Sequence, residues 1–370
     1  MFNKRFSDFR SDTVTQPTME MRHAMFNAEV GDEVLGEDPT VIRLEELAAS
    51  ITGKESALFV PSGTMGNTIT MKLAVGEGHV VIMDDRSHIL HYEGGNLSKI
   101  AFCMARPLPS DHGKIPLDLI EENILINPRD IDGEHESFST EKKRKTWGRD
   151  ILESRYLPET RAISLENTHN TSGGSVLEPE YIEKVAELAR KYHLHFHMDG
   201  ARIFNAAIAL GVDVKEITKH CDSVMFCLSK GLAAPMGSML VGEKGFIKEA
   251  RILRKSLGGG MRQIGFMAAA GIVGLETMVN RLEEDHRRAR MLVERMMDIK
   301  NIIVDPSEVV TNIIMVRLAN MGSVDFVARM AAQDVLVLPF GKDRIRMVTH
   351  KDIDDSDIDR GIFAIRNAVA

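Results

Sequence analysis

The chain has 370 residues, of which 44% are hydrophobic and 27% are charged, a composition that excludes disordered and fibrous proteins. Because this length exceeds one typical core, we expect two packed domains. The formal net charge is −8 and no basic tract dominates, so nucleic acid is not an expected partner.

The cysteines and the first residues indicate the compartment. Cys103, Cys221 and Cys227 have neither disulfide nor metal spacing, which fits a reducing environment. Residues 1–5 contain no apolar signal region, and no run of the chain approaches membrane-spanning length. We therefore expect a cytoplasmic protein without membrane contact and without a metal site.

Two polar segments precede the first strand. Residues 8–18 are irregular and polar, and such a segment either frays or wraps into a site. Residues 29–40 are acidic and punctuated by glycine. A helix is predicted to begin at Pro39 with Asp38 as its cap, and Gly53 is expected to end it.

The first strand, predicted at 57–60, leads into the small polar residues 61–67 and then into a helix that ends near Val75. This layout is typical of an anion site, because free backbone N–H groups and the helix dipole favour a phosphate. Gly63 and Thr64 lie at the start of that helix. Taken alone, the segment is more commonly just a capped helix.

A second strand, predicted at 80–83, ends shortly before His88. Ligands of α/β proteins gather at the carboxyl ends of strands, so His88 is a candidate site residue, with a surface histidine near a helix cap as the alternative. We predict a strand at 100–104 and a helix at 117–125. Residues 128–150 hold many charges and few apolar side chains, which predicts an exposed insertion.

The alternation of strands and helices resumes after the insertion. A strand predicted at 162–166 ends just before His169, a second candidate. The strand predicted at 195–198 delivers Asp199 and, three residues later, Arg202. An aspartate after a strand is most often a helix cap, and that is the alternative here.

Three histidines alternate around this strand, namely His193, His195 and His197. Residues two apart share a strand face, so a metal site is one interpretation. We prefer another, in which one histidine packs at the site and the other two lie toward the solvent end.

The apolar run 224–228 predicts a buried strand that delivers Lys230 into a loop. Burial lowers the pKa of an ammonium group, and a neutral amine is a nucleophile toward carbonyls. Lys230, Asp199 and Arg202 at strand ends are three parts of a pyridoxal phosphate site, in which the lysine forms the Schiff base and a carboxylate keeps the pyridine nitrogen protonated. For the lysine alone, a solvated surface group is the common case.

The order of elements predicts the fold class. Residues 1–245 read as repeated β–α–β units, which implies an α/β domain with a mostly parallel sheet and helices on both faces. Residues 246–370 read as linking helices followed by a smaller α+β domain. There, Arg344 and Arg346 share a strand face, either as solvated side chains or as a bidentate carboxylate clamp.

Seven stretches, spread from the start of the chain nearly to its end, resemble one family. They are 9–15 (FRSDTVT), 60–67 (VPSGTMGN), 166–170 (ENTHN), 199–205 (DGARIFN), 223–237 (SVMFCLSKGLAAPMG), 257–263 (LGGGMRQ) and 346–352 (RMVTHKD). The family is the low-specificity L-threonine aldolases, in the β-eliminating lyase group of fold-type-I, aminotransferase-like pyridoxal phosphate enzymes. A set of this length in this order is highly specific.

The resemblance implies cofactor roles at the matching positions. Lys230 would form the Schiff base, and Asp199 would pair with the pyridinium nitrogen. Arg202 would lie near the phenolic oxygen of the cofactor and near the substrate. Gly63 and Thr64 would hold the phosphate.

Further roles follow from the same resemblance. His88 would stack on the cofactor ring, and Ser11 and Arg346 would bind the substrate carboxylate. Lys255 and Arg262 match positions that reach the phosphate from a neighbouring subunit. The family is commonly tetrameric, so we expect a homotetramer with sites at dimer interfaces.

The expected reaction is aldol cleavage of L-threonine or L-allo-threonine to glycine and acetaldehyde. The base is His88 or His169, acting directly or through water, and we expect replacement of His169 to reduce cleavage more. Rival interpretations are a related lyase for another β-hydroxy amino acid such as phenylserine, and a cofactor-binding protein without turnover. Leu35 stands where many relatives have tyrosine, which bears on the substrate preference.

Overall fold

The computed structural model describes residues 6–126 and 157–370, so the insertion predicted at 128–150 lies outside the described residues. The strands are β1 (Ser7–Asp8), β2 (Ser56–Val60), β3 (Val80–Asp84), β4 (Met104–Leu108), β5 (Thr160–Glu166), β6 (His195–Asp199), β7 (Ser223–Cys227), β8 (Ser238–Gly242), β9 (Ile302–Ile303), β10 (Ile313–Leu318), β11 (Val335–Leu336), β12 (Leu338–Pro339) and β13 (Arg344–Val348).

The helices are α1 (Met19–Phe26), α2 (Pro39–Thr52), α3 (Gly63–Ala74), α4 (His88–His91), α5 (Leu117–Asn123), α6 (Pro179–Lys191), α7 (Ile203–Leu210), α8 (Val214–Thr218), α9 (Lys244–Ser256), α10 (Gly265–Val273), α11 (Leu282–Met296), α12 (Ser323–Ala331) and α13 (Asp355–Val369). The predicted ends of α2 are confirmed. Asp38 accepts hydrogen bonds from the N–H groups of Thr40 and Val41, and Gly53 ends the helix with a φ of 66°. Within the described part of the chain, none of these helices could cross a lipid bilayer.

A seven-stranded sheet with the order β2-β8-β7-β6-β5-β3-β4 forms the centre of the larger core. Every pair is parallel except the two that β8 makes, because β8 runs against β2 and β7. The mostly parallel sheet predicted from the sequence is therefore confirmed. The carboxyl ends of β2, β3, β5, β6 and β7 meet at one edge, and this edge carries the candidate site residues.

The second core is built around a four-stranded antiparallel sheet, β12-β13-β10-β9. Helices α11, α12 and α13 supply much of this core, which contains residues from Ala289 to Val369. Phe9 belongs to it as well, because β1 pairs in parallel with β11. The N-terminal segment thus starts on the smaller core and crosses to the edge of the large sheet. The boundary at residue 245 stays a prediction.

The strand predicted at 100–104 is wrong. Residues Leu97–Ala101 form a π-helical turn, Phe102 adopts a φ of 58°, and β4 begins only at Met104. Leu97, Ala101 and Cys103 are buried beneath this turn. An apolar run of this length has no periodicity that distinguishes a strand from a packed turn.

Only two of the three histidines around β6, His195 and His197, share a strand face. His193 is exposed, lies before the strand and has a φ of 53°. His195 Nε2 and His197 Nδ1 both contact the Ser223 hydroxyl, at 2.7 and 2.9 Å. His197 is fully buried and His195 is half-buried, so only one of the three histidines packs deep beneath the site.

Candidate active site

A cavity of about 400 Å³ opens at the carboxyl edge of the large sheet. Its walls bring together five residues predicted from the sequence, namely Gly63, Thr64, His88, Asp199 and Lys230. Thr13 and Thr15 line it too, so the polar segment 8–18 wraps into the site rather than fraying.

Lys230 follows the carboxyl end of β7 by three residues and lines this cavity. Its backbone carbonyl accepts hydrogen bonds from the Thr15 hydroxyl at 3.1 Å and from the Ala233 N–H at 2.8 Å. These contacts fix the loop. The Nζ amine has no hydrogen-bond or ion-pair partner among the described residues, so the amine is available to a ligand.

The start of α3 forms another wall of the cavity. Ser62 caps the helix by accepting a hydrogen bond from the Met65 N–H at 3.2 Å. The N–H groups of Gly63 and Thr64 have no partner in the described part of the chain. A Cβ on Gly63 would lie 3.0 Å from the Met225 side chain, so glycine keeps the helix start close to β7. Free N–H groups at a helix start suit a phosphate.

Asp199 ends β6 and is almost completely buried. Its Oδ2 accepts a hydrogen bond from Asn67 Nδ2 at 3.0 Å, and its Oδ1 accepts one from the Ala201 N–H at 3.2 Å. Two donors therefore hold the carboxylate in one orientation at the cavity wall.

Asn67 connects this carboxylate to a second one. Its Nδ2 also donates to Glu93 Oε1 at 2.8 Å, so the NH₂ group bridges two buried carboxylates. The Asn67 oxygen then accepts from His197 Nε2 at 3.1 Å, which places the proton of His197 on Nε2. Burial and the neighbouring His195 lower the pKa of His197 to about 3, so this ring is neutral at physiological pH.

His88 follows β3 and is held at two points. Its backbone N–H donates to Glu166 at 2.8 Å, and its Nδ1 lies 3.1 Å from Glu93 Oε1. Burial alone would lower the pKa of His88, but the hydrogen bond to Glu93 and the charge of Asp199 raise the pKa above its ordinary value. Since Nδ1 faces Glu93, Nε2 is the nitrogen left for the cavity.

His169 lies elsewhere. Its ring is fully buried, with Nε2 3.0 Å from Asp84 and Nδ1 2.8 Å from the Ser172 hydroxyl. It lines neither the 400 Å³ cavity nor its neighbour. Both ring nitrogens are occupied, so the structure does not bring His169 to the place where a base is needed.

Arg202, another residue predicted for the site, lies in the turn after β6, three residues beyond Asp199. Its guanidinium forms a buried bidentate pair with Asp12, with two hydrogen bonds of 2.7 Å. Burial alone would raise the pKa of Asp12, but Arg202 holds it well below its usual range. Ser11, the neighbour of Asp12, accepts a hydrogen bond from the Thr13 N–H at 3.2 Å and is nearly buried.

A second cavity of about 470 Å³ meets the first at His88. Arg346 on β13 lines it and donates to Asn170 Oδ1 at 3.0 Å and to the Arg10 carbonyl at 3.3 Å. In the described part of the chain it has no carboxylate partner, and its Nε has no hydrogen bond at all. A half-buried guanidinium in this condition is suited to a carboxylate ligand.

Lys255 and Arg262 line neither cavity. Both are exposed, and Arg262 pairs with Asp32 of the acidic segment at 2.6 Å. That segment is anchored by Glu33, which is buried and paired with the buried Arg254. The two cations thus lie on an outer surface of the chain, away from its own cavity.

Three possible metal ligands, His88, Glu93 and Asp199, have atoms within 4.8 Å of one another. Among the described residues, this is the one group of three or more side chains close enough together to bind a metal ion. All three line the cavity and are already hydrogen-bonded. The Asn67 amide donates to both Glu93 and Asp199, and the His88 ring contacts Glu93.

No role of Asp12, Asn67 or Glu93 is predicted from the sequence. Asp12 and Asn67 lie inside stretches that carry the family resemblance, and this position is the sequence feature that could have identified them as site residues. Glu93 had none, because its importance comes from contacts with residues of another helix and another strand.

Known proteins are similar to this chain over most of its length. A sequence model of the family described as beta-eliminating lyase matches residues 8–320. Low-specificity L-threonine aldolase 1 of Arabidopsis thaliana is 42% identical over 370 residues, covering 99% of this chain and 97% of that protein. Low specificity L-threonine aldolase of Escherichia coli (strain K12) is 38% identical over 347 residues, covering 94% of each.

Solved structures share the fold. The threonine aldolase of Leishmania major superposes with a TM-score of 0.77 at 18% identity, covering 98% of this chain and 99% of that chain. The α/β fold class predicted from the sequence, which is the fold of the fold-type-I pyridoxal phosphate enzymes, is therefore confirmed.

Proposed function

The chain belongs to the beta-eliminating lyase family, and from this premise we propose that it cleaves L-threonine or L-allo-threonine to glycine and acetaldehyde with pyridoxal phosphate. Its class is that of the carbon–carbon lyases. The observation that supports the proposal best is the meeting of two cavities at His88, one with Lys230 and Asp199 and the other with Arg346.

The residues of the first cavity fit pyridoxal phosphate. Lys230 would hold it covalently through its unpartnered amine, and the Asp199 carboxylate would pair with the pyridine nitrogen. The free N–H groups of Gly63 and Thr64 would take the phosphate. When bound, the cofactor supplies an electron sink for the electrons of the broken bond.

Arg346 would bind the substrate carboxylate, helped by the nearby Ser11. Two parallel N–H···O bonds fix both the position and the rotation of a carboxylate. Arg202 lines neither cavity, but its pair with Asp12 would hold a rigid positive charge near the cofactor and the substrate. Holding the carboxylate in this way sets which bond of the substrate faces the reacting centre.

His88 is the proposed base for the β-hydroxyl proton, directly or through one water. The position of His88 between the two cavities supports this role, and so does the direction of its ring toward Glu93. The buried position of His169 favours a supporting role for that residue, which reverses the order expected from the sequence.

We further propose a homotetramer in the cytoplasm, in which Lys255 and Arg262 reach the phosphate of a neighbouring copy. Their exposed position supports this role. Large apolar side chains are exposed on α1, the acidic segment and α10, and both α1 and the acidic segment contact α10. Exposed apolar side chains on neighbouring elements suit a subunit interface. They are Met19 at 66%, Phe26 at 85%, Leu35 at 68% and Phe266 at 43% exposure.

A related lyase acting on a β-hydroxy amino acid with a larger side chain, such as phenylserine, is the second candidate. Part of the lining of the second cavity favours it, because Tyr92, Leu338, Pro339 and Phe340 offer apolar surface there. The cavity, of about 470 Å³, has room for a substrate side chain larger than a methyl group.

The test is product analysis with cofactor-loaded enzyme. L-threonine, L-allo-threonine, L-serine and phenylserine are each supplied, glycine is quantified, and aldehyde is followed with a coupled alcohol dehydrogenase. In parallel, borohydride reduction and peptide mapping should find the cofactor on Lys230. No aldehyde from any of the four substrates, or a label on another lysine, would refute the proposal.

A further inference from the structure

Three arginines lie together on one face of the small sheet. Arg317 on β10 is directly opposite Arg344 on β13, and Arg346 follows two residues later on the same face. None of the three has a carboxylate partner among the described residues. Like charges directly opposite one another destabilise a sheet, and an anion bound at this face would reduce the repulsion.

Two of these arginines line the second cavity. Arg344 and Arg346 stand on its wall with Tyr92 and Phe340, and none of its lining residues is acidic. The Arg344 guanidinium lies 5.5 Å from the centroid of the Phe340 ring, so the aromatic face holds the cation at the cavity wall. Arg344 and Arg317 are both exposed, but Arg317 does not line the cavity.

The proposed function uses only one of these charges, since the substrate carboxylate takes Arg346. We propose that Arg344 binds a second carboxylate, carried at the far end of the substrate side chain. The enzyme then takes β-hydroxy-α-amino acids whose β-substituent is an apolar or aromatic spacer ending in a carboxylate. This inference rests on the proposed function and adds no chemical step, because the anion leaves as part of the aldehyde.

The spacing of the two arginines sets the length of the spacer. Residues two apart on a strand have Cα atoms about 7 Å apart, so two carboxylates bound by Arg344 and Arg346 lie at a comparable distance. A ring between Cβ and the distal carboxylate bridges such a span, and it would pack between Tyr92 and Phe340. A carboxylate attached directly to Cβ would be too short.

Binding is measured first, with ligands that lack the β-hydroxyl and so are not cleaved by the proposed reaction. The holoenzyme is titrated calorimetrically with 4-carboxyphenylalanine and with 4-carbamoylphenylalanine, its neutral isostere. We expect the carboxylate ligand to bind about tenfold more tightly. Arg344→Gln should remove this preference, and the matched control Arg317→Gln should retain it.

Cleavage is then compared for the corresponding β-hydroxy substrates. The ratio of kcat/KM for 4-carboxyphenylserine over 4-carbamoylphenylserine should fall at least fivefold in Arg344→Gln and stay unchanged in Arg317→Gln. Equal affinities in the unmodified enzyme, an unchanged ratio in Arg344→Gln, or the same loss in both variants would overturn the inference. If no substrate is cleaved, the proposed function fails, while the titrations still decide the role of Arg344.

Discussion

The guanidinium of Arg202 donates two hydrogen bonds of 2.7 Å to the carboxylate of Asp12, although 190 residues separate them in the chain. Both side chains are buried. Because β1 starts the N-terminal segment on the smaller core and Arg202 follows β6 of the large sheet, this pair fastens the two cores together at the active site.

Asp12→Asn should destabilise the protein, because it leaves the buried charge of Arg202 without its counter-ion. Breaking a buried pair from one side costs about 3–5 kcal/mol in the free energy of unfolding. The control is Asp8→Asn on the same segment, whose pair with Arg10 is exposed and should contribute about 1 kcal/mol or less. Urea denaturation measures both, and equal effects of the two substitutions would contradict the prediction.

The pH dependence of this pair has a definite sign. The folded state depresses the pKa of Asp12, so the stabilisation is complete above the pKa of the unfolded chain, about 4. It is lost as the pH falls below that value toward the folded-state pKa. The difference in the free energy of unfolding between the unmodified protein and Asp12→Asn should therefore shrink in acid.

Glu93→Gln should shift the acid limb of the pH profile of kcat/KM to lower pH. Asn67 and His88 both contact Oε1 of Glu93, so glutamine can keep both hydrogen bonds while losing the charge. That charge helps to raise the pKa of His88, and without it His88 loses its proton, and becomes a competent base, at lower pH. Glu180→Gln, an exposed position on α6, is the control. An unshifted limb would show that Glu93 does not act through His88.

His88→Phe should reduce kcat/KM about 10²–10⁴-fold while cofactor absorbance is retained, because the proposed base is removed. His169→Phe should lower the melting temperature but leave most of the activity, since it leaves the buried Asp84 without its ring partner. Paired measurements of acetaldehyde release and melting temperature on the two holoenzymes test this. A deeper loss of cleavage in His169→Phe would restore the order expected from the sequence.

Arg346→Ala should bind the cofactor normally yet lose most of kcat/KM. Removing a charged hydrogen-bonding partner costs about 2–5 kcal/mol, which is at least tenfold in rate. Arg317→Ala removes a nearby arginine that lines neither cavity and should leave the kinetics unchanged. Near-normal kinetics of Arg346→Ala with L-threonine would show that this arginine is merely a solvated strand residue.

Much of the architecture follows from local rules that a sequence displays. The caps at Asp38 and Gly53 set the ends of α2, and the buried run before Lys230 forms β7. Parallel strands place their carboxyl ends at one edge, so Lys230, Asp199 and the start of α3 were expected together. The strand at 100–104 failed because an apolar run has the same composition in a packed turn.

Side-chain partners across the fold were decided only by the tertiary structure. Two histidines that follow neighbouring strands look alike in sequence, yet the structure turns His88 toward the cavities and buries His169 between Asp84 and Ser172. Spacing along a chain determines which strand end carries a residue. The direction of its ring depends on its hydrogen-bond partners. The ring of His169 is held by Asp84, which is 85 residues away in the chain, whereas the ring of His88 is held by Glu93.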